Sequence, residues 1–287
     1  MCGLVFAGGK HSLSSADMKL FQSLLMCDTF RGTDSTGVFS LFRPYNKPPF
    51  FRVTKQAMEG WDFARSEFFE NSVTNKIPST IANTAPITDY AKVVFGHNRA
   101  ATVGAVNAKN AHPFTHGHIT LAHNGTIRNQ KLLPEHQRFQ VDSENIAYAI
   151  SVEGIDEVVK KLNGAYCLIW FDANNNTLNI LRNDERPFHL LETGAGDWYG
   201  ASEEQMLMWL ATRGKSGRTV KRHFECEVGI QYVFDVSKGC ELKEERKHEL
   251  PRFQSAYYET GYWFGGNRHY AYSSSSSVSS SQGQNIS

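Results

Sequence analysis

Eight short runs of β-branched and aromatic residues limit how this chain can fold: 4–7, 37–43, 50–54, 92–97, 119–123, 165–171, 178–181 and 229–234. Each has the length and composition of a strand buried on one or both faces. Only three stretches carry helical periodicity. Residues 15–29 place Met18, Phe21, Leu25 and the Leu20/Leu24 pair on one face behind a Ser/Asp start, while 143–152 and 155–162 form a consecutive pair. Runs of strands broken by paired helices do not build a doubly wound parallel sheet. The pattern predicts an α+β fold, with antiparallel sheets and helices on their outer faces. No internal repeat is present.

The composition changes near Leu250. Residues 256–272 hold seven aromatics, and 273–281 are serine at every position except Val278. A serine tract cannot bury enough apolar surface to order itself, so the expected division is a domain over 1–250 and a flexible tail over 251–287.

Among 287 residues, 30 Lys+Arg balance 29 Asp+Glu, so no chain-wide basic field exists to collect nucleic acid or an anionic membrane. No uninterrupted apolar stretch approaches the ~18 residues of a membrane span, and the first nine residues lack the features of a secretory signal. The five cysteines (Cys2, Cys27, Cys167, Cys226, Cys240) are scattered and without Cys-x-x-Cys spacing. Free thiols in a reducing, cytoplasmic compartment are expected.

Cys2 is the most informative residue. Met1 precedes a small side chain, and its removal leaves a cysteine carrying both a thiol and a free α-amine. A thiol of pKa ~8.5 is mostly protonated at neutral pH, whereas an amine of pKa ~7.7–8.0 is partly free there and can take its proton. The plainer reading is a small buried hydrophobe starting the first strand. Arg31-Gly32-Thr33-Asp34-Ser35-Thr36-Gly37 reads as a turn between helix and strand. In Gly96-His97-Asn98-Arg99-Ala100-Ala101-Thr102-Val103-Gly104, Arg99 stands at a strand terminus, either solvated or placed for a bidentate carboxylate contact.

Asn124-Gly125 reads either as a hairpin turn or as an oxyanion hole, the Asn amide and the Gly N–H converging on a developing charge. Asp142-Ser143-Glu144 opens a helix, where acids suit the dipole; alternatively Asp142 holds a substrate ammonium. His112, His116 and His118 lie close together without an acidic or thiolate ligand, which disfavours a metal site. Dinucleotide, Walker A and Gly-x-Ser-x-Gly patterns all fail for want of a required residue. The basic cluster Arg213, Lys215, Arg218, Lys221 and Arg222 reads as a solvated loop.

Taken together, Cys2-Gly3-Leu4-Val5, the 31–37 and 96–104 blocks, Asn110-Ala111-His112-Pro113, His123-Asn124-Gly125 and Asp142-Ser143-Glu144 resemble class II glutamine amidotransferases, the N-terminal-nucleophile glutaminases. Within that family the likeness is nearest to the glutaminase domain of glucosamine-6-phosphate synthase, and it extends through Gly164-Ala165-Tyr166 to about Val236. The resemblance implies a four-layer αββα sandwich with the first strand beginning at the nucleophile. It implies Cys2 as nucleophile with its α-amine as base, and Asn124 with the Gly125 N–H as oxyanion hole. Arg99 is then the site of the glutamine α-carboxylate and Asp142 of its α-ammonium, with Arg31, Thr102 and His112 shaping the pocket. No metal or organic cofactor is implied.

Two departures accompany it: Ala100 stands where relatives carry an aromatic residue, and the histidine usual near the end of that block is missing, Val103 preceding Gly104. About fifty residues follow Val236, too few for a fused synthase domain, so the resemblance implies ammonia passed to a separate synthetase chain, or a free glutaminase. Two other functions remain open at this point: a non-catalytic interaction protein on the same scaffold, and another N-terminal-nucleophile amide hydrolase.

Overall fold

In the computed structural model, which describes residues 2–11, 13–77, 87–102, 104–213 and 217–251, the first apolar run lies within β1 (Gly3–Gly8). Leu4 and Phe6 point into one core, Val5 and Ala7 into another. Alternation with both faces buried is what a strand in an inner layer requires. From β1 the chain forms α1 (Ser15–Cys27), then β2 (Ser35–Phe42) and β3 (Phe50–Gln56). Two short helices, α2 (Gly60–Ala64) and α3 (Glu67–Val73), precede a small hairpin of β4 (Thr74–Ile77) and β5 (Ile87–Tyr90). β6 (Val93–Arg99) then inserts between β1 and β2.

A second sheet follows with β7 (Phe114–His116) and β8 (Ile119–Ile127), the helices α4 (Asp142–Glu153) and α5 (Ile155–Val159), then β9 (Gly164–Asp172) and β10 (Thr177–Arg182). β11 (His189–Thr193) and β12 (Trp198–Ala201) return to the first sheet; α6 (Glu204–Thr212) leads to its edge strand β13 (Val220–Glu225). β14 (Ile230–Asp235) and β15 (Glu241–Lys247) complete the second. The orders are β13-β11-β12-β1-β6-β2-β3 and β15-β14-β10-β9-β8-β7, every pairing antiparallel.

Three apolar cores separate four layers, giving the αββα sandwich. One lies between the first sheet and α1, α2, α3 and α6; a second between the sheets; a third between the second sheet and α4 and α5. β9 feeds two of them, Cys167, Ile169 and Phe171 facing the inter-sheet core and Tyr166, Leu168 and Trp170 the helix side. Phe39 joins the sheets, its ring 4.7 Å from Phe95 and 5.1 Å from Phe171. Such pairs contribute about 0.5–1.5 kcal/mol each beyond area burial. At the start of α1, the Asp17 carboxylate accepts the Ser14 N–H at 2.7 Å while Ser14 Oγ accepts the Asp17 N–H at 3.3 Å, closing a capping box.

Several expectations change. The first helix ends at Cys27 and tightens into a 3₁₀ turn over Asp28–Arg31, and the helix expected over 155–162 stops at Val159. The Asn124-Gly125 pair is not a hairpin turn, because β8 runs through it to Ile127. The basic cluster is not a solvated loop: Arg218 pairs with Asp17 and Tyr199, and Lys221 and Arg222, on β13, both pair with Glu192. Lys215 and the aromatic and serine-rich stretches lie outside the described residues. All five cysteines are free thiols, and no helix among the described residues is long and apolar enough to cross a membrane.

Candidate active site

The head of β1 is held from three sides. Cys2 Sγ accepts the Ala100 N–H at 3.3 Å and lies 3.5 Å from the Ala100 carbonyl oxygen. Arg31, in the 3₁₀ turn after α1, donates its Nε–H to the Cys2 carbonyl at 3.0 Å and pairs through Nη1 with Glu203. Ser202 Oγ accepts the Leu4 N–H at 3.0 Å. Burial pushes the Cys2 thiol up, outweighing the Ala100 N–H and the positive Arg99 that pull it down. A protonated thiol at neutral pH needs a base before it can attack anything.

Beneath β1 lies a buried carboxyl group. Gly3 admits it: a Cβ there would collide with the Asp28 carboxylate. Asp28 accepts from Asn98 Nδ2 at 3.1 Å, and burial, opposed by Arg31, pushes its pKa up to about 7.

The 31–37 segment fixes the residues after β6. The Asp34 N–H donates to the Arg99 carbonyl at 3.0 Å, and the Asp34 carboxylate accepts the Ala101 N–H at 2.7 Å. Arg99, the last residue of β6, is 3% exposed, and its Nη1 donates to the Ala105 carbonyl at 3.3 Å. Thr102 is exposed, with its hydroxyl 3.4 Å from that of Thr126 on β8, which brings this segment against the second sheet.

On that sheet Asn124 and Gly125 lie opposite Cys167 and Tyr166 of β9. Gly125 has φ +152°, and a Cβ there would run into the Ala165 carbonyl and the His123 ring. Only glycine permits that close approach. Asn124 is fully buried; its Nδ2 donates to Ser202 Oγ at 3.4 Å, and its Oδ1 has no partner among the described residues. One hydroxyl thus touches both the strand that follows Cys2 and the candidate oxyanion residue. Asp142, opening α4, accepts the Ile127 N–H at 2.7 Å and the Ser143 N–H at 2.8 Å, while Ser143 Oγ meets His123 Nδ1 at 2.9 Å. The helix start is thereby tied to the end of β8.

His112 is almost wholly buried, its ring 3.8 Å from that of His97, and neither ring nitrogen has a partner among the described residues. Burial holds His112 well below the usual imidazole value and brings His97 down to about 3, so both rings stay neutral. His116 lies elsewhere, 3.4 Å from Glu144 and against Phe139 and Tyr148.

Cys2, Arg31, Arg99 and Thr102 therefore come from the first sheet and its loops, and Asn124, Gly125 and Asp142 from the second. Sequence reasoning missed Ser202, Asp28 and Asp34 as supports. Asp34 stood in a block already singled out; Ser202 and Asp28 carried no signal, since their partners lie 198 and 70 residues away.

Residues 97–209 match the family described as the glutamine amidotransferase domain. Over 233 residues the chain is 26% identical to a glutamine–fructose-6-phosphate aminotransferase (isomerizing) of Vibrio vulnificus, covering 74% of this chain and 33% of that protein. The enzyme of the same name from Caulobacter vibrioides is 30% identical over 184 residues, covering 58% and 26%. The chain spans about a third or less of the length of these curated relatives. Among solved structures, the glutamine phosphoribosylpyrophosphate amidotransferase of B. subtilis with ADP and GMP superposes with a TM-score of 0.61 at 19% identity, covering 87% of this chain and 50% of that one. That likeness is one of fold.

Proposed function

We propose, on its likeness to glutamine amidotransferases, that the chain is a class II glutamine amidotransferase and hydrolyses L-glutamine to glutamate and ammonia through a Cys2 γ-glutamyl thioester. Removal of Met1 exposes the Cys2 α-amine, which takes the thiol proton as sulfur attacks the carboxamide carbon. Burial of the thiol makes that internal base necessary. The developing oxyanion is received by Asn124 Nδ2 and the Gly125 N–H. Oxyanion donors of this kind are worth about 10²–10³ in turnover. As the tetrahedral adduct collapses, the carbon–nitrogen bond breaks and the Cys2 α-ammonium returns its proton to the departing ammonia. Water then attacks the thioester, releasing glutamate and restoring the thiol.

Glutamine presents one anion, one cation and a neutral amide arm. Arg99 takes the α-carboxylate, and Asp142 the α-ammonium: its Oδ2 accepts the Ile127 N–H through one lone pair, and the second can serve the substrate. Arg31 acts on the backbone of Cys2, Thr102 reaches Thr126 of the second sheet, and His112 packs its ring on that of His97. We also propose that the ammonia goes to an acceptor on a separate synthetase chain.

The observation that carries this reading is the Ser202 bridge between Leu4 and Asn124, which joins the start of the nucleophile strand to the candidate oxyanion residue. The test is direct. Methionine-processed protein should release glutamate and ammonia from glutamine and take 6-diazo-5-oxo-norleucine covalently on Cys2, and Cys2→Ala should do neither. Processed protein that takes up no label and releases no ammonia refutes the reading. Transfer to a partner predicts faster glutamine turnover when the synthetase and its acceptor are added.

A further inference from the structure

On the helix-facing side of the first sheet three side chains converge. His189 begins β11; His223 lies on the neighbouring β13 opposite Leu191, two positions along on the same face; Glu204 is the first residue of α6, which covers that face. One ligand atom from each residue lies within 4.8 Å of the other two. The imidazole planes are only 17° apart with centroids 5.9 Å apart, and His223 Nδ1 is 3.7 Å from Glu204 Oε1. His189 is 8% exposed, yet its Nδ1 has no partner among the described residues, nor has the buried Nε2 of His223. Buried imidazole nitrogens left unpartnered in pairs are costly unless something occupies the space between them.

We propose that His189, His223 and Glu204 form a binding site for a zinc-class divalent cation, with a water in the fourth position. Two imidazoles and one carboxylate suit a borderline divalent ion better than a hard one such as Mg²⁺. Four-coordinate zinc with bonds of about 2.0–2.1 Å sets its ligand atoms roughly 3.3 Å apart, so the widest separation must contract by up to about 1.5 Å. The Glu204 side chain, 55% exposed on a flexible stem, can supply the carboxylate's share of that movement, and rotation of the two rings the rest. The neighbouring carboxylate Glu225 is engaged by Arg182 at 2.7 Å. Ser202 and Glu203 immediately precede Glu204, so an ion here braces the segment that holds Leu4, Asn124 and Arg31.

The test uses the tag-free full-length chain stripped with a chelator and titrated with Zn²⁺ against a chromophoric competitor, with Co²⁺ absorption reporting coordination. A single stoichiometric equivalent is expected, with Co²⁺ bands of four-coordinate intensity. Cys2→Ala should bind as wild type. Glu204→Gln, at an exposed helix start where the fold is not at risk, should weaken binding at least tenfold, and His223→Ala should abolish it. The proposal falls if no stoichiometric binding occurs, if both Glu204→Gln and His223→Ala bind like wild type, or if Cys2→Ala removes the site. None of these readouts depends on glutamine turnover.

Discussion

Arg31 reaches from the turn after the first helix to the carbonyl of Cys2, donating its Nε–H at 3.0 Å, while its Nη1 pairs with Glu203 before α6. The guanidinium therefore sets where the first residue of the processed chain points, and Glu203 sets where the guanidinium points. Hydrogen bonds from charged donors are worth about 1.5–3 kcal/mol. Arg31→Ala should lower glutaminase kcat/KM by roughly ten- to a hundredfold, by the conversion of about 1.4 kcal/mol per factor of ten. Glu203→Gln should cost less, because that side chain is half exposed. Steady-state kinetics on protein with an unchanged melting curve checks both; an Arg31→Ala enzyme of undiminished kcat/KM would remove Arg31 from the pocket.

Ser202 gives the next expectation. Its hydroxyl receives the Leu4 N–H at 3.0 Å and the Asn124 amide at 3.4 Å. Ser202→Ala leaves a buried N–H unsatisfied, at a cost of about 1–3 kcal/mol in stability, and frees the Asn124 amide to rotate. Asn124→Ala should lower kcat by about 10²–10³. Denaturant unfolding and kcat measured on both variants should rank them oppositely, with Ser202→Ala the less stable and Asn124→Ala the less active.

The same residues explain how far the sequence could be read. Inner strands such as β1 and β9 are buried on both faces, so they appear as uninterrupted apolar runs, and the helix α1 carries its own capping box. The edge strand β15, Glu-Leu-Lys-Glu-Glu-Arg-Lys, is charged on nearly every residue, as a strand with one unpaired edge tends to be, and it carries no strand signal. β13 was hidden likewise, since Lys221 and Arg222 look solvated until Glu192 of β11 is placed beside them. Asn124-Gly125 shows the limit of local rules: the dipeptide favours a turn, but close packing against the Ala165 carbonyl keeps it in the strand. Residues that carry candidate chemistry sat in legible sequence blocks. The supports behind them, Asp28 and Ser202, act across long sequence separations and are visible only in three dimensions.

Activity should depend on the amino terminus in a way that pH reveals. The Cys2 thiol is pushed up by burial, so little thiolate preexists at neutral pH and the α-amine must be free to take its proton. The kcat/KM of processed protein should rise with pH through the ordinary range of an α-amine, about 7.7–8.0. Protein that retains Met1 should be inactive at every pH, even though its thiol is intact. Intact-mass measurement beside the pH profile checks this, and an active Met1-retaining species would exclude the amine as base.

Stability should respond to pH through two opposed sets of buried groups. His97, with a pKa near 3 in the fold against an ordinary 6.5, contributes stability present above pH 6.5 and lost as pH falls below it, because only the unfolded chain takes the proton there; His112 and His123 are shifted in the same direction. Asp28 runs the other way. Its pKa rises from 3.8 to about 7, so its contribution is fully present below pH 3.8 and is lost as pH climbs to 7, about 4 kcal/mol in all at 1.36 kcal/mol per unit. His97 alone offsets Asp28 between pH 4.5 and 6.5, and the downward shifts of His112 and His123 tip the balance, so the protein should become more stable with rising pH across that window. Asp28→Asn removes the Asp28 proton from that balance. The stability of the variant relative to wild type should therefore grow by about 1.4 kcal/mol per pH unit between roughly 4 and 7 and level off above it. Urea unfolding at several pH values measures that difference directly, and a difference that stays constant with pH would mean that Asp28 does not carry a proton beneath Gly3.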